Sequence, residues 1–145
     1  MKVIFDIDGT IADCTHRLHL IESEKKEWEK FFFECVNDKP IKNIITLLQF
    51  IWCSHDEVVF CTSRPERTRK ETIDWIESNT GITVECMLMR ADNDRRSDII
   101  VKPELLMNAG LTPDKVAFIV DDRTKVVNRF RELGYTVLQC ADGNY

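Results

Sequence analysis

The sequence predicts an α/β protein: a Rossmann-like three-layer sandwich with a five-stranded parallel sheet and a small helical cap. Five short apolar segments are typical of buried strands, and helical patterns lie between them. Strands that alternate with helices favour a parallel sheet with both faces covered. Polar side chains directly follow three of the predicted strands, and these are Asp6 and Asp8, then Thr62, Ser63 and Arg64, and finally Asp121 and Asp122.

Length and composition indicate one globular domain. The chain has 145 residues, of which 43% are hydrophobic and 31% charged, with a formal net charge of −5. We expect a single domain over residues 1–145 that needs no disulfide staples, with the cap at about residues 13–55. The acidic balance disfavours a protein that coats nucleic acid electrostatically, but an enzyme can still hold one phosphate end with a few arginines.

Two further features concern location and cysteine chemistry. The apolar runs are too short to span a membrane and no signal-peptide pattern is present, so we expect a cytoplasmic protein without membrane association. The six cysteines contain no C-x-x-C pair and no zinc-binding spacing, which indicates reduced and mostly buried thiols. His16 and His19 have the spacing of a helical pair, but a lone histidine pair is weak support for a metal site.

The first predicted strand, at about residues 2–7, delivers two carboxylates to its end. Side chains alternate along a strand, so Asp6 and Asp8 project to the same side if the strand continues that far. Gly9 predicts a sharp turn directly afterwards. The carboxyl ends of parallel strands form the ligand-binding edge of open α/β sheets. A D-x-D-G sequence is also typical of an ordinary surface turn, so the other strand ends decide between the two interpretations.

The segment after the first strand predicts the cap and one further helix. Residues 13–36 show a helical pattern. We interpret Trp28 and the phenylalanines at 31–33 as core or as a small lid rather than as a base-stacking platform. Residues 37–40 break this pattern and offer a helix cap, and a helix is predicted from residue 41 to about residue 53.

The remaining elements alternate regularly. Strands are predicted at residues 58–61, 83–89, 116–120 and 135–138, and helices at about 66–79, from 98 through 106, and at 124–133. Gly81 and Gly110 mark the ends of two helices, and Pro103 is expected in the first turn of its helix. The loop at residues 90–97 is the most polar stretch of the chain.

Polar groups converge at one edge of the predicted sheet. Parallel strands place their carboxyl ends together, so Asp6, Asp8, Asp121 and Asp122 cluster if the first and fourth strands are neighbours. Such a cluster is costly unless a cation neutralises it, and Mg²⁺ suits oxygen-only ligands. A nearby hydroxyl, arginine and lysine would then hold a phosphoryl group.

With these residues in place, the chain resembles a known superfamily. Asp6-Ile7-Asp8-Gly9-Thr10 is similar to the first motif of the haloacid dehalogenase (HAD) superfamily, Thr62 to its second, Lys102 to its third and Asp121-Asp122 to its fourth. The segments 58–64, 90–102 and 119–127 and the tail 139–145 further resemble the 3′-phosphatase domain of bacteriophage polynucleotide kinase/phosphatases. The resemblance covers essentially the whole chain and implies the HAD fold.

The resemblance implies an aspartyl-phosphate mechanism with Mg²⁺ as the cofactor. Asp6 would attack phosphorus, and Asp8 would protonate the leaving alcohol and then activate water, so the pKa of Asp8 should be the higher one. Thr62 and Lys102 would hold the phosphoryl oxygens. The metal ligands would come from Asp6, Asp8 (through its main-chain carbonyl) and Asp122, with Asp121 as a direct or outer ligand.

Four candidate substrate-binding residues complete the predicted site: Arg17, Ser63, Arg64 and Asp98. Arg17 and Arg64 are candidate phosphate clamps, because arginine binds phosphate in a bidentate fork, and the alternative for each is a solvated surface charge. Asp98 either positions Lys102 or a clamp arginine, or caps a helix. Arg95 and Arg96 are expected to face solvent, with contact to a nucleic-acid strand as the alternative.

The leading hypothesis is a Mg²⁺-dependent phosphatase that removes 3′-phosphates from DNA or RNA ends through an aspartyl-phosphate. A phosphatase for small metabolites such as nucleoside monophosphates is the alternative, and the acidic net charge favours it. A third hypothesis is a non-catalytic binding module on the same fold, working with a separate kinase or ligase. The sequence contains no G-x-x-x-x-G-K-[ST] motif, so we expect no kinase activity from it.

Overall fold

The computed structural model describes residues 1–54 and 57–144. Its strands are β1 (Lys2–Phe5), β2 (Ala12–Asp13), β3 (Lys39–Pro40), β4 (Glu57–Pro65), β5 (Met87–Arg90), β6 (Val116–Arg123) and β7 (Val137–Gly143). Its α-helices are α1 (His19–Glu22), α2 (Trp28–Phe33), α3 (Lys42–Cys53), α4 (Arg69–Thr80), α5 (Asp98–Asn108) and α6 (Thr124–Glu132). Short 3₁₀ turns lie at Thr15–Arg17, Glu34–Asn37 and Glu66–Thr68. Across these described residues, no helix has the length and apolar character of a membrane span.

A parallel sheet in the order β5-β4-β1-β6-β7 forms the centre of the described structure. β1 is the middle strand and pairs with β4 on one side and β6 on the other. The five-stranded parallel sheet predicted from the sequence is confirmed. Because β6 is a direct neighbour of β1, the acidic ends of these two strands meet at the same edge.

Helices cover both faces of the sheet. Val3 and Phe5 of β1 face one buried core, to which α3 and α4 contribute apolar side chains. Ile4, between them in the sequence, faces a second core with side chains from α5 and α6. These three β1 side chains are at most 1% exposed. Full burial of one such side chain contributes about 1.5–3 kcal/mol to folding, so the two cores fix β1 in the middle of a three-layer sandwich.

The cap is confined to residues 12–40, where the antiparallel pair of β2 and β3 joins the two ends of the segment. The prediction of helix throughout 13–36 is wrong in detail, because Asp13 pairs with Lys39 and only short helical pieces follow. Asp13 Oδ1 also accepts the backbone N–H of Thr15 at 3.0 Å, a local bond that competes with helix formation. α3 packs on the sheet rather than in the cap.

The aromatic residues of the cap divide between core and surface. Phe31 is 9% exposed and packs under the cap, as the core interpretation predicts. Trp28 and Phe33 are 45% and 41% exposed, so the core interpretation is wrong for them, and they lie on α2 within the cap. α2 lies at the surface and buries only one side, so aromatic side chains on its other side stay exposed.

Several element boundaries differ from the predicted ones. β4 and β6 extend beyond their apolar runs because neighbouring strands continue beside them, with Pro65 opposite Arg90 and Arg123 opposite Gly143. β7 begins and ends later than predicted, and β5 is shorter at its start. Pro103 is the sixth residue of α5 rather than part of its first turn. Backbone pairing does not depend on side-chain polarity, so hydrophobic pattern alone misplaces these ends.

Candidate active site

Asp6 follows β1, where a tight turn carries the chain away from the sheet. Gly9 has a φ of +80°, and the Ile7 carbonyl accepts hydrogen bonds from the backbone N–H groups of residues 10–12 at 3.0–3.1 Å. This turn places the Thr10 hydroxyl so that it donates to Asp6 Oδ2 at 3.2 Å. The D-x-D-G sequence therefore forms a turn, and the turn itself orients the Asp6 carboxylate.

Three buried carboxylates cluster where β1 ends and β6 approaches its end. Asp6, Asp121 and Asp122 are 5%, 1% and 3% exposed, and each offers an oxygen within 4.8 Å of the others. The Lys102 ammonium donates to Asp6 and to Asp121, both at 2.7 Å. One lysine offsets only part of three negative charges, and an uncompensated buried charge is costly. The oxygen-only donors are those that Mg²⁺ prefers, so these residues fit the predicted ion.

The pKa shifts in this cluster reflect the same excess of negative over positive charge. Burial raises the pKa of Asp6 well above its ordinary value, although Lys102 opposes the shift, and the neighbouring Asp121 and Asp122 raise it further. For Lys102, burial lowers the pKa, but the Asp121 and Asp6 carboxylates outweigh burial and hold the pKa well above its ordinary value. Lys102 is therefore a permanent cation here, and Asp6 needs more positive charge nearby to stay ionised.

Asp8 lies on the other side of the turn, in contact with two arginines. Arg64 donates to it bidentately, through Nη2 to Oδ1 at 2.7 Å and Nε to Oδ2 at 3.1 Å, and Arg17 Nη2 donates to Oδ1 at 2.5 Å. Burial raises the pKa of Asp8, but the Arg64 and Arg17 guanidiniums outweigh it and hold the pKa well below the ordinary value. The expectation of a raised Asp8 pKa is wrong for this arrangement, because both arginines pair with Asp8.

Asp38 is a site residue that sequence reasoning missed. Its carboxylate accepts hydrogen bonds from Arg17 Nε at 2.8 Å, Arg17 Nη2 at 2.7 Å and Arg64 Nη2 at 2.9 Å, and its carbonyl accepts Trp75 Nε1 at 2.9 Å. His16 Nε2 also lies 2.8 Å from Asp38 Oδ1. The sequence signal was an acid among chain-breaking residues at 37–40, a pattern that surface turns share.

The C-terminal part of β4 supplies two buried hydroxyls. Thr62 is 1% exposed, and its hydroxyl oxygen accepts the backbone N–H of Arg64 at 3.2 Å. The Ser63 hydroxyl is buried and makes no hydrogen bond within the described residues. Its carbonyl accepts Arg90 Nε at 2.9 Å, which anchors this strand end to β5.

Asp98 pairs with arginines other than the two predicted phosphate clamps. It forms ion pairs with Arg90 of β5 and Arg123 of β6. Its ion-pair partners are therefore not the predicted clamps Arg17 and Arg64, and the N-cap of α5 is Ser97. Asp98 instead ties two strand ends to the start of the helix that carries Lys102.

A cavity of about 600 Å³ joins most of these groups. The predicted site residues in its lining are Asp6, Asp8, Thr62, Ser63, Arg64, Asp98, Lys102 and Asp122. Arg17 and Asp121 are not in the lining and lie behind it. Arg17 is only 1% exposed, so the solvated-surface interpretation of this arginine is wrong. Arg64 is 2% exposed, and the same correction applies to it.

A family model that describes the phosphatase domain of polynucleotide kinase PNKP matches residues 1–145. The chain belongs to this family. The membership confirms the resemblance stated from the sequence motifs, and the protein is a HAD-type phosphatase domain.

Relatives of this PNKP-type phosphatase domain are longer than the chain. A viral protein described as a bifunctional polynucleotide kinase/RNA ligase, from Autographa californica nuclear polyhedrosis virus, is 27% identical over 132 residues. That match covers 90% of the chain and 18% of the viral protein. A chain of the Pnkp1/Rnl/Hen1 complex is 25% identical with a TM-score of 0.81, and the match covers 99% of this chain and 47% of that one. The chain thus spans less than half the length of these relatives.

More distant structures share the fold alone. A class C acid phosphatase from Bacillus anthracis superposes with a TM-score of 0.70 at 13% identity, covering 99% of this chain and 67% of that one. A haloacid dehalogenase-like hydrolase from Streptococcus pneumoniae gives 0.65 at 15% identity, covering 95% and 83%. These similarities confirm the predicted α/β fold class.

Proposed function

We propose that this phosphatase domain hydrolyses phosphomonoesters with Mg²⁺ through an aspartyl-phosphate, and that its substrates are 3′-phosphate ends of DNA or RNA. The observation that carries the chemistry is the Asp6 environment: a buried carboxylate held by Thr10 and Lys102 beside two further acids. Family membership supports a polynucleotide end as the substrate.

Asp6, Asp122 and the Asp8 main-chain carbonyl would hold Mg²⁺. Both Asp121 oxygens already accept protein hydrogen bonds, from Lys102 at 2.7 Å and from the Arg123 backbone N–H at 3.0 Å, which supports an outer position for Asp121. When bound, the ion supplies positive charge that keeps Asp6 ionised and offsets the charge on the phosphoryl oxygens.

The chain's own residues would perform the two chemical steps. An Asp6 oxygen bonds to phosphorus as the bond from phosphorus to the 3′ oxygen breaks, and Asp8 gives its proton to that leaving oxygen. Water then attacks the phosphorus of the aspartyl-phosphate and passes a proton to Asp8, and the bond to Asp6 breaks. Lys102 and the hydroxyls of Thr62 and Ser63 hold the phosphoryl oxygens in both steps.

The arginines give Asp8 a way to gain its proton. Arg64 lines the cavity and donates bidentately to Asp8, and Arg17 holds the same carboxylate from behind. An incoming phosphate dianion competes with Asp8 for the Arg64 guanidinium. As that contact is lost, the pKa of Asp8 rises, so substrate binding itself promotes the protonated form of the general acid.

We also propose that the domain acts together with a kinase or ligase. The longer relatives are a kinase/ligase and a chain of a complex described as an RNA repair complex, and the chain covers only part of each. A phosphatase that exposes a 3′ hydroxyl prepares the end that a ligase joins.

The test is phosphate release from a 3′-phosphorylated oligonucleotide, with Mg²⁺ and with EDTA, beside 3′- and 5′-mononucleotides. We expect Mg²⁺-dependent release that is fastest from the oligonucleotide and absent in the Asp6→Asn variant. Equal or better turnover of mononucleotides would reject the polynucleotide substrate and favour small-metabolite chemistry, in line with the net charge of −5. No turnover of any phosphomonoester would reject the catalytic proposal.

A further inference from the structure

The cavity contains one basic side chain that differs from the others. Seven arginines and lysines line it: Arg64, Arg67, Arg90, Arg95, Arg96, Lys102 and Arg123. Six of them form ion pairs with Asp8, Glu29, Asp98, Asp94 or Asp6. Within residues 1–54 and 57–144, Arg95 has no carboxylate partner and no hydrogen bond. It is an exposed cation without an ion-pair partner in the wall of the cavity.

The cap side of the same cavity carries a short stack of planar groups. The rings of Trp28 and Phe32 stack with centroids 5.7 Å apart and planes 25° apart. The Arg67 guanidinium lies 5.3 Å from the Phe32 ring centroid and pairs with Glu29 of α2 and Asp92 of the loop before α5. Arg67 therefore connects the aromatic side of the cavity with the loop that carries Arg95. Trp28 is 45% exposed, which leaves part of its ring open to a ligand.

These two features suit one chemical class of ligand. An exposed aromatic face stacks with a nucleobase, and such stacking tolerates every base. An unpaired guanidinium binds a phosphodiester oxygen pair in a fork. In the proposed chemistry the reacting phosphate is already held by Lys102, Arg64 and the strand-end hydroxyls. A further cation in the wall that has no carboxylate partner suits a substrate with a second phosphate.

We propose that Arg95 with the Trp28–Phe32 stack forms a subsite for the nucleotide next to the reacting 3′-phosphate. The stack holds a base and Arg95 holds the first internucleotide phosphate. This inference rests on the proposed function and adds to it that the preference for polynucleotide over mononucleotide resides in these side chains. It also replaces the expectation that Arg95 is simply a solvated charge and that the cap aromatics do not stack on bases.

The test compares 3′-phosphorylated mononucleotide, dinucleotide and tetranucleotide in wild-type protein and in Arg95→Gln and Trp28→Ala. We expect wild-type kcat/KM to rise about 5- to 100-fold from mononucleotide to dinucleotide, the range for one stacked base and one phosphate contact. In either variant the dinucleotide-to-mononucleotide ratio falls toward one, through KM more than kcat. Arg129→Gln is the matched control, since Arg129 is an exposed arginine outside the cavity that pairs with Glu132.

Two outcomes overturn the inference while leaving the proposed chemistry intact. One is a wild-type ratio near one. The other is a ratio that Arg95→Gln and Trp28→Ala leave at the wild-type value. A general phosphomonoester, p-nitrophenyl phosphate, monitors the chemistry alone, and its failure to react counts against the proposed function instead.

A binding measurement tests the subsite even if p-nitrophenyl phosphate is not hydrolysed. Anisotropy of a labelled 3′-phosphorylated tetranucleotide with EDTA present requires no turnover. We expect Arg95→Gln to weaken binding and to lower the slope of log affinity against log salt by about 0.7, the value for one lost phosphate contact on a single strand. Equal affinity and equal slope in wild type and Arg95→Gln would overturn the subsite.

Discussion

Asp38 and Arg17 form a buried, two-pronged ion pair, with Nε to Oδ1 at 2.8 Å and Nη2 to Oδ2 at 2.7 Å. Neither side chain is more than 1% exposed. The Arg17 guanidinium also lies 4.4 Å from the Phe31 ring centroid and donates to the Phe31 carbonyl at 3.1 Å. The pair thus connects the cap to the carboxylate of Asp8, which Arg17 contacts in turn.

Asp38→Asn removes the charge that Arg17 and Arg64 share. We expect a loss of about 3–5 kcal/mol in the free energy of unfolding, the cost of breaking a buried ion pair. We expect kcat to fall about 100-fold, because Arg17 and Arg64 lose the carboxylate that fixes them against Asp8. Urea unfolding and phosphate release measure the two effects. Glu132→Gln, in an exposed pair with Arg129, should cost less than about 1 kcal/mol.

Arg64→Lys tests the bidentate contact with Asp8. A lysine keeps the charge but lacks the paired Nε and Nη2 donors, which lie 3.1 and 2.7 Å from the Asp8 oxygens. We expect kcat/KM to fall about 10- to 100-fold with the fold retained. Steady-state kinetics measure the loss, and Arg129→Lys serves as the control. Wild-type kinetics in Arg64→Lys would show that charge alone suffices.

Asp6→Asn and Asp8→Asn should each abolish turnover for different reasons. The first removes the nucleophile, and the second removes the proton donor. Phosphate release gives the rate, and circular dichroism shows whether the fold persists. A folded Asp6→Asn protein with wild-type turnover would exclude Asp6 as the nucleophile.

Mg²⁺ should stabilise the folded protein by neutralising the acid cluster. At a hundredfold excess over Kd we expect about 2.7 kcal/mol, or roughly 5–10 °C in Tm for a chain of this size. EDTA should reverse the shift and stop phosphate release. Asp122→Asn should shrink the shift, whereas Asp142→Asn, an exposed neighbour, should keep it. An unchanged Tm with Mg²⁺ would count against the site.

The raised pKa of Asp6 predicts how stability depends on pH without metal. A carboxyl whose pKa is raised by folding contributes most below the unfolded value of about 4, and the contribution is lost as pH rises through the folded value. The stability of wild type relative to Asp6→Asn should therefore increase from pH 7.5 to pH 4.5 in EDTA. The lowered pKa of Asp8 acts only below about 4, outside this window. Urea titrations measure the free energy of unfolding of both proteins at each pH. A difference between them that does not change with pH would contradict the prediction.

Gly143→Ala should disturb the acid cluster without removing a ligand. A Cβ at this position would lie 2.5 Å from the Asp122 carbonyl oxygen, so the backbone of β6 or β7 must shift. We expect a cost of about 1–3 kcal/mol in stability and weaker Mg²⁺ binding. Thermal unfolding with and without Mg²⁺ measures both. Ala141→Ser, at an exposed position in the same strand, is the control.

The sequence determined the fold class and the acidic strand ends. Hydrophobic periodicity and helix-terminating residues are local signals in the sequence. The five strands, the helices between them and the end of α4 at Gly81 were therefore predictable. The ends of β4, β6 and β7 were not, since they depend on the partner strand. Asp6, Asp121 and Asp122 were found because each follows a predicted strand, and Lys102 was found through the order of the superfamily motifs.

Only the tertiary structure decided which residues surround the catalytic carboxylates. Asp38 is 30 residues from Asp8 in the sequence, and nothing local distinguishes its carboxylate from that of a surface turn. The fold buries it between Arg17 and Arg64. These two arginines lower the pKa of Asp8, whereas burial and two neighbouring acids raise the pKa of Asp6, so the expected order of the two values is reversed. The pKa of a buried carboxylate depends on its burial and on the charged groups around it. Those groups come from distant parts of the chain, so they meet only when the cap packs on the sheet.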